Sequence, residues 1–439
     1  MNKLQCRVCG GQIELQEDNR GICLNCGTSY SLGSMKKMFE GLKVSITGSS
    51  EDVEQWRLLL DKYYSAGDFT EAERVAKKIL EADPSDEQTN LRYDELQVLK
   101  YFDVKNGVIK GYTGTAKKIK IPNAITEIEA ESFKNNQYIE EVWLPDTIKI
   151  IEERLFANCS NLQYVHLPDD LEAISGGAFA GCSALEKIEI PKSVSTIGDS
   201  AFSGCSKLND VQIPETVKEI GGGAFKNCTS LREMAIAASI TRINDSMFEG
   251  CSKLSNVEIP ETVKSIGAGV FKNCISLREI VIPASVTELG SSAHWDPVGV
   301  FADCTSLERV DLNQGLETIG PSTFAGCRSL ASIEIPFGVK SIGCGAFRDC
   351  KSLRQISIPD SVLSIETKLW DATDYTIYFP FEGCSNLEHI DYPYRFDVQV
   401  FSGSRFYIRK ERKKNGLCPE CGGKRLLLSR RCSQCGKPM

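Results

Sequence analysis

Ten cysteines fall on a fixed step. Cys159, Cys182, Cys205, Cys228, Cys251 and Cys274 are 23 residues apart. After a gap of 30, Cys304, Cys327 and Cys350 resume the step, and a gap of 34 leads to Cys384. Phenylalanine keeps the same rhythm from Phe133 through Phe156, Phe179, Phe202, Phe225, Phe248, Phe271, Phe301, Phe324 and Phe347 to Phe381. A fixed period of this size means stacked structural units. One unit reads C-S-x-L-x-x-I-x-I-P-x-S-V-x-x-I-G-x-x-A-F, as in the stretch from Cys182 to Phe202. Its I-x-I piece alternates at period two and is β-branched, which predicts a short strand. Pro follows, where a missing N–H ends the ladder. Twelve such pieces run from Ile119/Ile121 to Ile390/Tyr392. The G-x-x-A-F piece predicts a short helical turn with Phe pointing inward. One unit cannot fold alone: five or six large apolar side chains give roughly 1.5–3 kcal/mol each on burial, while ordering each backbone residue costs roughly 1–2 kcal/mol. Stacking makes up the difference.

The pattern L-x-x-I-x-I-P-x-x-V-x-x-I-x-x-x-A-F-x-x-C, over about residues 101–393, resembles the Treponema-type, or BspA-like, bacterial leucine-rich repeats. The resemblance implies a curved leucine-rich-repeat solenoid with its strands on the concave face and a protein-binding role. Many relatives are secreted surface adhesins. The fold expected is therefore an α+β repeat protein: a solenoid of twelve turns at a 23-residue period, with a helical hairpin segment and two small zinc ribbons. The domains divide as 1–32, zinc ribbon; 33–50, linker; 51–100, helical segment; 101–400, solenoid with hairpin caps; and 401–439, basic segment and second ribbon. Asn106-Gly107 between two alternating runs is a hairpin signal for the N-terminal cap, and 396–401 with 406–408 around Ser402-Gly403 reads as its C-terminal counterpart.

The other cysteines are arranged differently. Cys6-x-x-Cys9 and Cys23-x-x-Cys26 are separated by 13 residues, and Cys418-x-x-Cys421 and Cys432-x-x-Cys435 by ten. Two such knuckles offer four thiolates to one tetrahedral zinc, leaving no open position for water, so the expected cofactor is two structural zinc ions. Both segments look like small zinc ribbons of the C-P-x-C-G-G type, with Arg7 where the first would carry Pro. The ten-cysteine ladder reads instead as buried packing, since free Cys is among the most buried residue types. Cys344 lies off the ladder and reads as an exposed position.

In residues 51–100, Trp56, Leu59, Tyr63, Gly67, Ala72, Ile79 and Pro84 fall at the spacing of a tetratricopeptide helix–turn–helix unit. The stretch is similar to that family, departing at Leu60 and Ala76, and residues 86–99 supply a third, covering helix. A single unit is too short for a peptide groove and reads as a spacer between ribbon and solenoid, with docking of another helical protein on it as the alternative.

No catalytic constellation is present. The three histidines, His166, His294 and His389, lie in no metal or triad spacing, and phosphate-loop and H-E-x-x-H motifs are absent. The expectation is a non-catalytic scaffold that binds a protein partner. Residues flanking the inward strand positions carry nine acids and four Lys or Arg, which disfavours nucleic acid there. Trp143, Tyr164 and His166 should cluster on adjacent strands, either as interface anchors or as a packing patch at the end of the solenoid. Two insertions, 291–300 with Trp295 and 366–380 with Trp370, Tyr375 and Tyr378, sit at the same point of their repeats and mark a second candidate contact. Residues 405–439 carry eleven Lys+Arg and two Asp+Glu, a net of +9, against −17 for the rest. Nucleic-acid binding through Arg409, Lys410, Arg412, Lys413, Lys414, Arg430 and Arg431 is thus an alternative, and surface adhesion a third. The start lacks the apolar run of a secretory signal, no stretch approaches the ~20 apolar residues of a membrane helix, and the many cysteines point to a reducing compartment, the cytoplasm.

Overall fold

The computed structural model describes residues 13–15, 21–23, 25–30, 50–290, 298–370, 375–415, 417–420, 432, 434, 435 and 437. The chain separates into two units, Met1–Pro214 and Glu215–Met439. Each unit carries stacked leucine-rich-repeat turns of a β-solenoid, about eleven in all, as the 23-residue period predicts.

In the first unit, Ile13–Leu15, Gly21–Cys23 and Ser29–Tyr30 make a small antiparallel sheet. Three helices follow: α1 (Ser50–Ser65), α2 (Phe69–Ala82) and α3 (Glu87–Leu99). Asp68 and Asp86 cap α2 and α3 by accepting from the Glu71 and Thr89 amides, which satisfies donors that a helix start leaves orphaned. The helices bury Leu60, Tyr64, Ala72, Ala76, Ile79 and Leu96 against one another. Trp56 and Tyr63 pack onto that core. Leu60, one of the two departures from the repeat pattern, is fully enclosed, while Leu59 is exposed.

The expected N-terminal cap is present. Phe102–Lys105 pairs antiparallel with Val108–Tyr112, and Asn106 and Gly107 both adopt positive φ, as a tight two-residue turn requires. Regular turns begin at Lys118–Lys120, Glu141–Trp143 and Tyr164–His166, which pair in parallel and in register, and continue at Lys187–Glu189 and Asp210–Gln212. The second unit carries Glu233–Ala235, Asn256–Glu258, Glu279–Val281, Arg309–Asp311, Gln355–Ser357 and His389–Asp391. Eleven three-residue strands therefore stand where the sequence predicts twelve. The twelfth piece, around Ile333 and Ile335, forms no strand, although both side chains are buried and keep the turn stacked.

Each turn also has two ladders that the sequence reading lacks. Two-residue strands at the x-I position pair in parallel; the second unit joins six of them, from Arg242–Ile243 to Ser364–Ile365. The G-x-x-A-F piece is not helical. It holds residues in the left-handed region two before and two after Phe, such as Gly177 and Gly181 around Phe179. Two such residues interrupt a helix, and the amides bond to the next turn instead: Phe156 N–H donates to Ala178 O and Phe179 N–H to Ala201 O, both at 2.8 Å.

The phenylalanines stack inside. In the first unit Phe133, Phe156, Phe179 and Phe202 follow at centroid separations of 5.1, 5.5 and 5.4 Å. In the second, the column from Phe225 to Phe381 keeps 5.3–5.9 Å. Offset stacking at this spacing matches a strand repeat of about 4.8 Å. Phe102 and Tyr112 close the column over Phe133. At the other end Phe401 closes it over Phe381. The C-terminal cap is not a hairpin: Val398–Phe401 is a 3-10 turn and Arg405–Lys414 a helix, α4. Ser404 accepts from the Tyr407 amide and so starts a helix just after the Ser402-Gly403 pair.

The ladder cysteines are packing residues with a hydrogen bond. Each is enclosed, and in both units the thiol donates to the Phe carbonyl of the preceding turn, at 3.0–3.3 Å from Cys159 to Phe133 through Cys384 to Phe347. Burial pushes the Cys159, Cys251 and Cys384 thiols up to about 12. Cys344 is also buried, contrary to the sequence reading, and burial raises its thiol to about 11. Tyr378, returning from the second insertion, accepts from the adjacent Gly345 amide at 3.1 Å, so the insertion itself packs beside this position.

Candidate functional site

Cys23 and Cys26 lie in a knuckle whose backbone closes on itself. Cys23 N–H donates to Thr28 O at 2.9 Å, Gly27 N–H to Cys23 O at 2.9 Å, and Asn25 N–H points to Cys23 Sγ at 3.4 Å. The second knuckle repeats the pattern. Cys432 N–H donates to Lys437 O at 2.9 Å and Gln434 N–H to Cys432 Sγ at 3.3 Å. Amides aimed at sulfur favour the thiolate, the form that binds metal. Buried Thr28 adds a 2.9 Å contact from its hydroxyl to Cys26 Sγ.

At the C-terminus, the sulfurs of Cys418, Cys432 and Cys435 all lie within 4.8 Å of one another. The Cys418–Cys435 separation is 3.6 Å, far too long for a disulfide. Two thiolates bound at 2.3 Å to one tetrahedral zinc stand about 3.8 Å apart. The donor set therefore fits a cysteine-ligated metal. Cys6, Cys9 and Cys421 lie outside the described residues.

The basic helix is committed to other contacts. Arg409 pairs with Glu388 at 3.4 Å and Glu420 at 2.9 Å, and Arg405 pairs with the same two acids at 3.2 and 3.1 Å. Glu388 precedes the last strand, and Glu420 sits inside the Cys418 knuckle. Arg412 donates to the Pro419 and Glu420 carbonyls at 3.3 and 2.7 Å. Desolvation opposes ionisation of Glu420, but the charges of Arg409 and Arg405 outweigh it and hold its carboxyl below the usual range. Lys410 lies over the Tyr392 and Phe406 rings. Of the proposed nucleic-acid residues, Arg409 thus joins knuckle to solenoid and Arg412 holds the knuckle to the helix. Lys413 and Lys414 are exposed, and Arg430 and Arg431 lie outside the described residues. Sequence reading missed this clamp because Glu388 and Glu420 are distant in the chain and carry no motif.

On the strand face, the centre residue of each three-residue strand is buried and its flanks point away from the core. Trp143 and Tyr164 meet at 6.3 Å between centroids, and His166 is the register partner of Trp143. Tyr164 and His166 are exposed and Trp143 half-buried. The predicted cluster is therefore assembled. Charges pair here across turns, Lys118 with Glu141 at 2.7 Å and Lys187 with Asp210 at 3.6 Å, and along one strand, Lys187 with Glu189 at 3.1 Å.

The two insertions do return to the same point. Val298 accepts from the Gly269 amide and Tyr378 from the Gly345 amide, each three residues before its Phe. The second is a hairpin of Lys368–Trp370 with Tyr375–Ile377, in which Trp370 and Tyr375 are register partners. Tyr378 is half-buried under the Arg348 guanidinium at 4.9 Å. Trp295 lies outside the described residues.

A family model described as BspA type leucine-rich repeat region matches residues 111–191, 172–297 and 297–408. The chain belongs to the BspA-type leucine-rich-repeat family. A leucine-rich-repeat protein of T. pallidum is 33% identical over 40% of this chain and 88% of its own, with a TM-score of 0.39. One from Bacteroides ovatus is 25% identical over 69% and 96%, with a TM-score of 0.39. A leucine-rich cell surface protein of Faecalibacterium prausnitzii is 27% identical over 67% and 92%, with a TM-score of 0.41. No curated protein matches the sequence. Among the described residues, no helix is long and apolar enough to cross a membrane.

Proposed function

We propose that this leucine-rich-repeat protein is a non-catalytic scaffold that captures a protein partner on its strand face. The observation that carries the reading is the Trp143–Tyr164 pair with His166, set on a strand face whose other flanking residues, Ala235 and Val281 aside, are charged or polar. Large aromatics with one exposed side supply contact area at little conformational cost. Trp295, Trp370, Tyr375 and Tyr378 form a second candidate contact on the insertions. The test is capture of partners from an extract of the native cell by the full chain and by Trp143→Ala/Tyr164→Ala. Loss of the captured partner at an unchanged melting temperature is expected. Identical capture by the double variant and by a variant with the four insertion aromatics replaced rejects the reading.

Each terminal cysteine set holds one structural zinc in this proposal: Cys6, Cys9, Cys23 and Cys26 the first, Cys418, Cys421, Cys432 and Cys435 the second. The matched knuckles and the 3.6 Å sulfur separation support it. Bound zinc supplies folding free energy to segments too small to bury a core. Two zinc equivalents per chain are expected by elemental analysis, falling to one in Cys432→Ser; a metal-free chain with unchanged knuckles refutes the assignment. Residues 51–100 act as one tetratricopeptide-like spacer. The thiol-to-carbonyl bonds of the ladder need reduced sulfur, which supports a cytoplasmic location.

A further inference from the structure

The strand face of residues 215–439 carries more carboxylates than cations: Glu233, Glu258, Glu279, Asp311, Glu334 and Asp391 stand there with Arg309, the register partner of Glu279. Glu258, Val281 and Asp311 occupy one column of successive turns, with Val281 and Asp311 as register partners. Glu279 lies two residues before Val281 and so on the same face. Val281 is 66% exposed, the most exposed large apolar side chain on the described three-residue strands. A depression of about 530 Å³ is lined by Glu258, Glu261, Glu279, Val281, Arg309 and Asp311. Among the described residues, no Lys or Arg is within ion-pair distance of Glu258, Glu261 or Glu279. Arg309 pairs with Asp311 on its own strand at 3.5 Å.

Like charges held this close repel at low ionic strength, and an occupant bringing cations relieves that repulsion. An occupant of cations alone leaves Val281 in water, so covering it calls for an apolar side chain between the cations. Building on the scaffold reading, we propose that this depression binds a lysine- or arginine-rich segment of a partner protein, with an apolar residue of that segment seated on Val281. The carboxylates set the charge of the partner and its rate of encounter, and Val281 sets the register.

The test uses the full chain and a fluorescein-labelled nine-residue peptide of lysines around a central leucine, read by anisotropy. Saturable binding is expected, weakened about fivefold or more in Glu258→Gln/Glu279→Gln and about threefold in Val281→Ser. Replacing the peptide leucine by serine should match the Val281→Ser effect. Equal binding to the Gln variant overturns the proposal. So does indifference to both the leucine and Val281, which leaves only a diffuse acidic field. Self-association that the Gln substitutions abolish seats the basic C-terminal segment of a second copy there and overturns a separate partner. If partner capture is lost in Trp143→Ala/Tyr164→Ala but untouched in the Gln variant, the scaffold reading stands and this assignment falls.

Discussion

Residues 1–214 and 215–439 share their interior and differ on their strand face. Inside, both stack phenylalanine on phenylalanine and donate thiol hydrogen bonds to carbonyls of the turn before. On the face, the first unit balances three lysines, Lys118, Lys120 and Lys187, against Glu141, Glu189 and Asp210, and adds Trp143 and Tyr164. The second presents Glu233, Glu258, Glu279, Asp311, Glu334 and Asp391 against Arg309 alone. Stacking constrains an interior position through both neighbouring turns, whereas a flanking residue meets solvent and can vary at little cost to the fold. Divergence confined to that face is what a binding surface on a repetitive frame requires.

The largest test of the shared interior is Phe179→Ala in the first unit against Phe248→Ala in the second. Each should cost about 3–5 kcal/mol in chemical denaturation, because each removes a ring from a closed column. A difference above about 2 kcal/mol between them would break the equivalence. Next come Gly204→Ala and Gly250→Ala. Both residues have φ near +75°, so both incur left-handed strain of about 1–2 kcal/mol. A Cβ on Gly204 meets nothing nearer than 3.5 Å, but on Gly250 it comes within 2.2 Å of Asn227 Oδ1. Gly250→Ala should therefore cost more, and adding Asn227→Gly should remove the excess. Acid sharpens the contrast in a third way. Desolvation opposes ionisation of Glu73, but hydrogen bonds from Lys100, Gln97 and Lys77 prevail and hold its carboxyl at about 2, in the helical segment of the first unit. The folded-state value is depressed, so this stabilisation is full above the ordinary carboxylate range and is lost as pH falls from about 4.5 toward 2. Helix content followed by circular dichroism should fall over that window, less steeply in Glu73→Gln. Smallest is Lys187→Ala, which removes two exposed ion pairs and should leave the denaturation midpoint nearly unchanged.

Much of this architecture is legible in the chain because a repeat states its constraint many times. The Cys and Phe columns, the inward strand residues and the Asn106-Gly107 turn follow from spacing alone. The two-residue ladder does not, since two residues are too few to show alternation. The turn around each Phe was misread as helical because Gly-x-x-Ala-Phe lacks any mark that its amides serve the next turn. At the C-terminus, Ser402-Gly403 looks like a hairpin turn, yet Ser404 caps a helix that Phe401 and the Glu388–Glu420 clamp hold in place. Such clamps join residues far apart in the chain, and no local pattern announces them.

The side-chain oxygens that sit over glycines carry a consequence for how such an array can grow. Asn158 lies above Gly181, Asn227 above Gly250, Asp303 above Gly326 and Asp349 above Gly383. A turn bearing the oxygen is fitted to a successor without a Cβ at that place. Excising or copying a lone turn tends to break such a couple, whereas moving two at once keeps it whole, so the natural currency of recombination here is the pair, about 46 residues long.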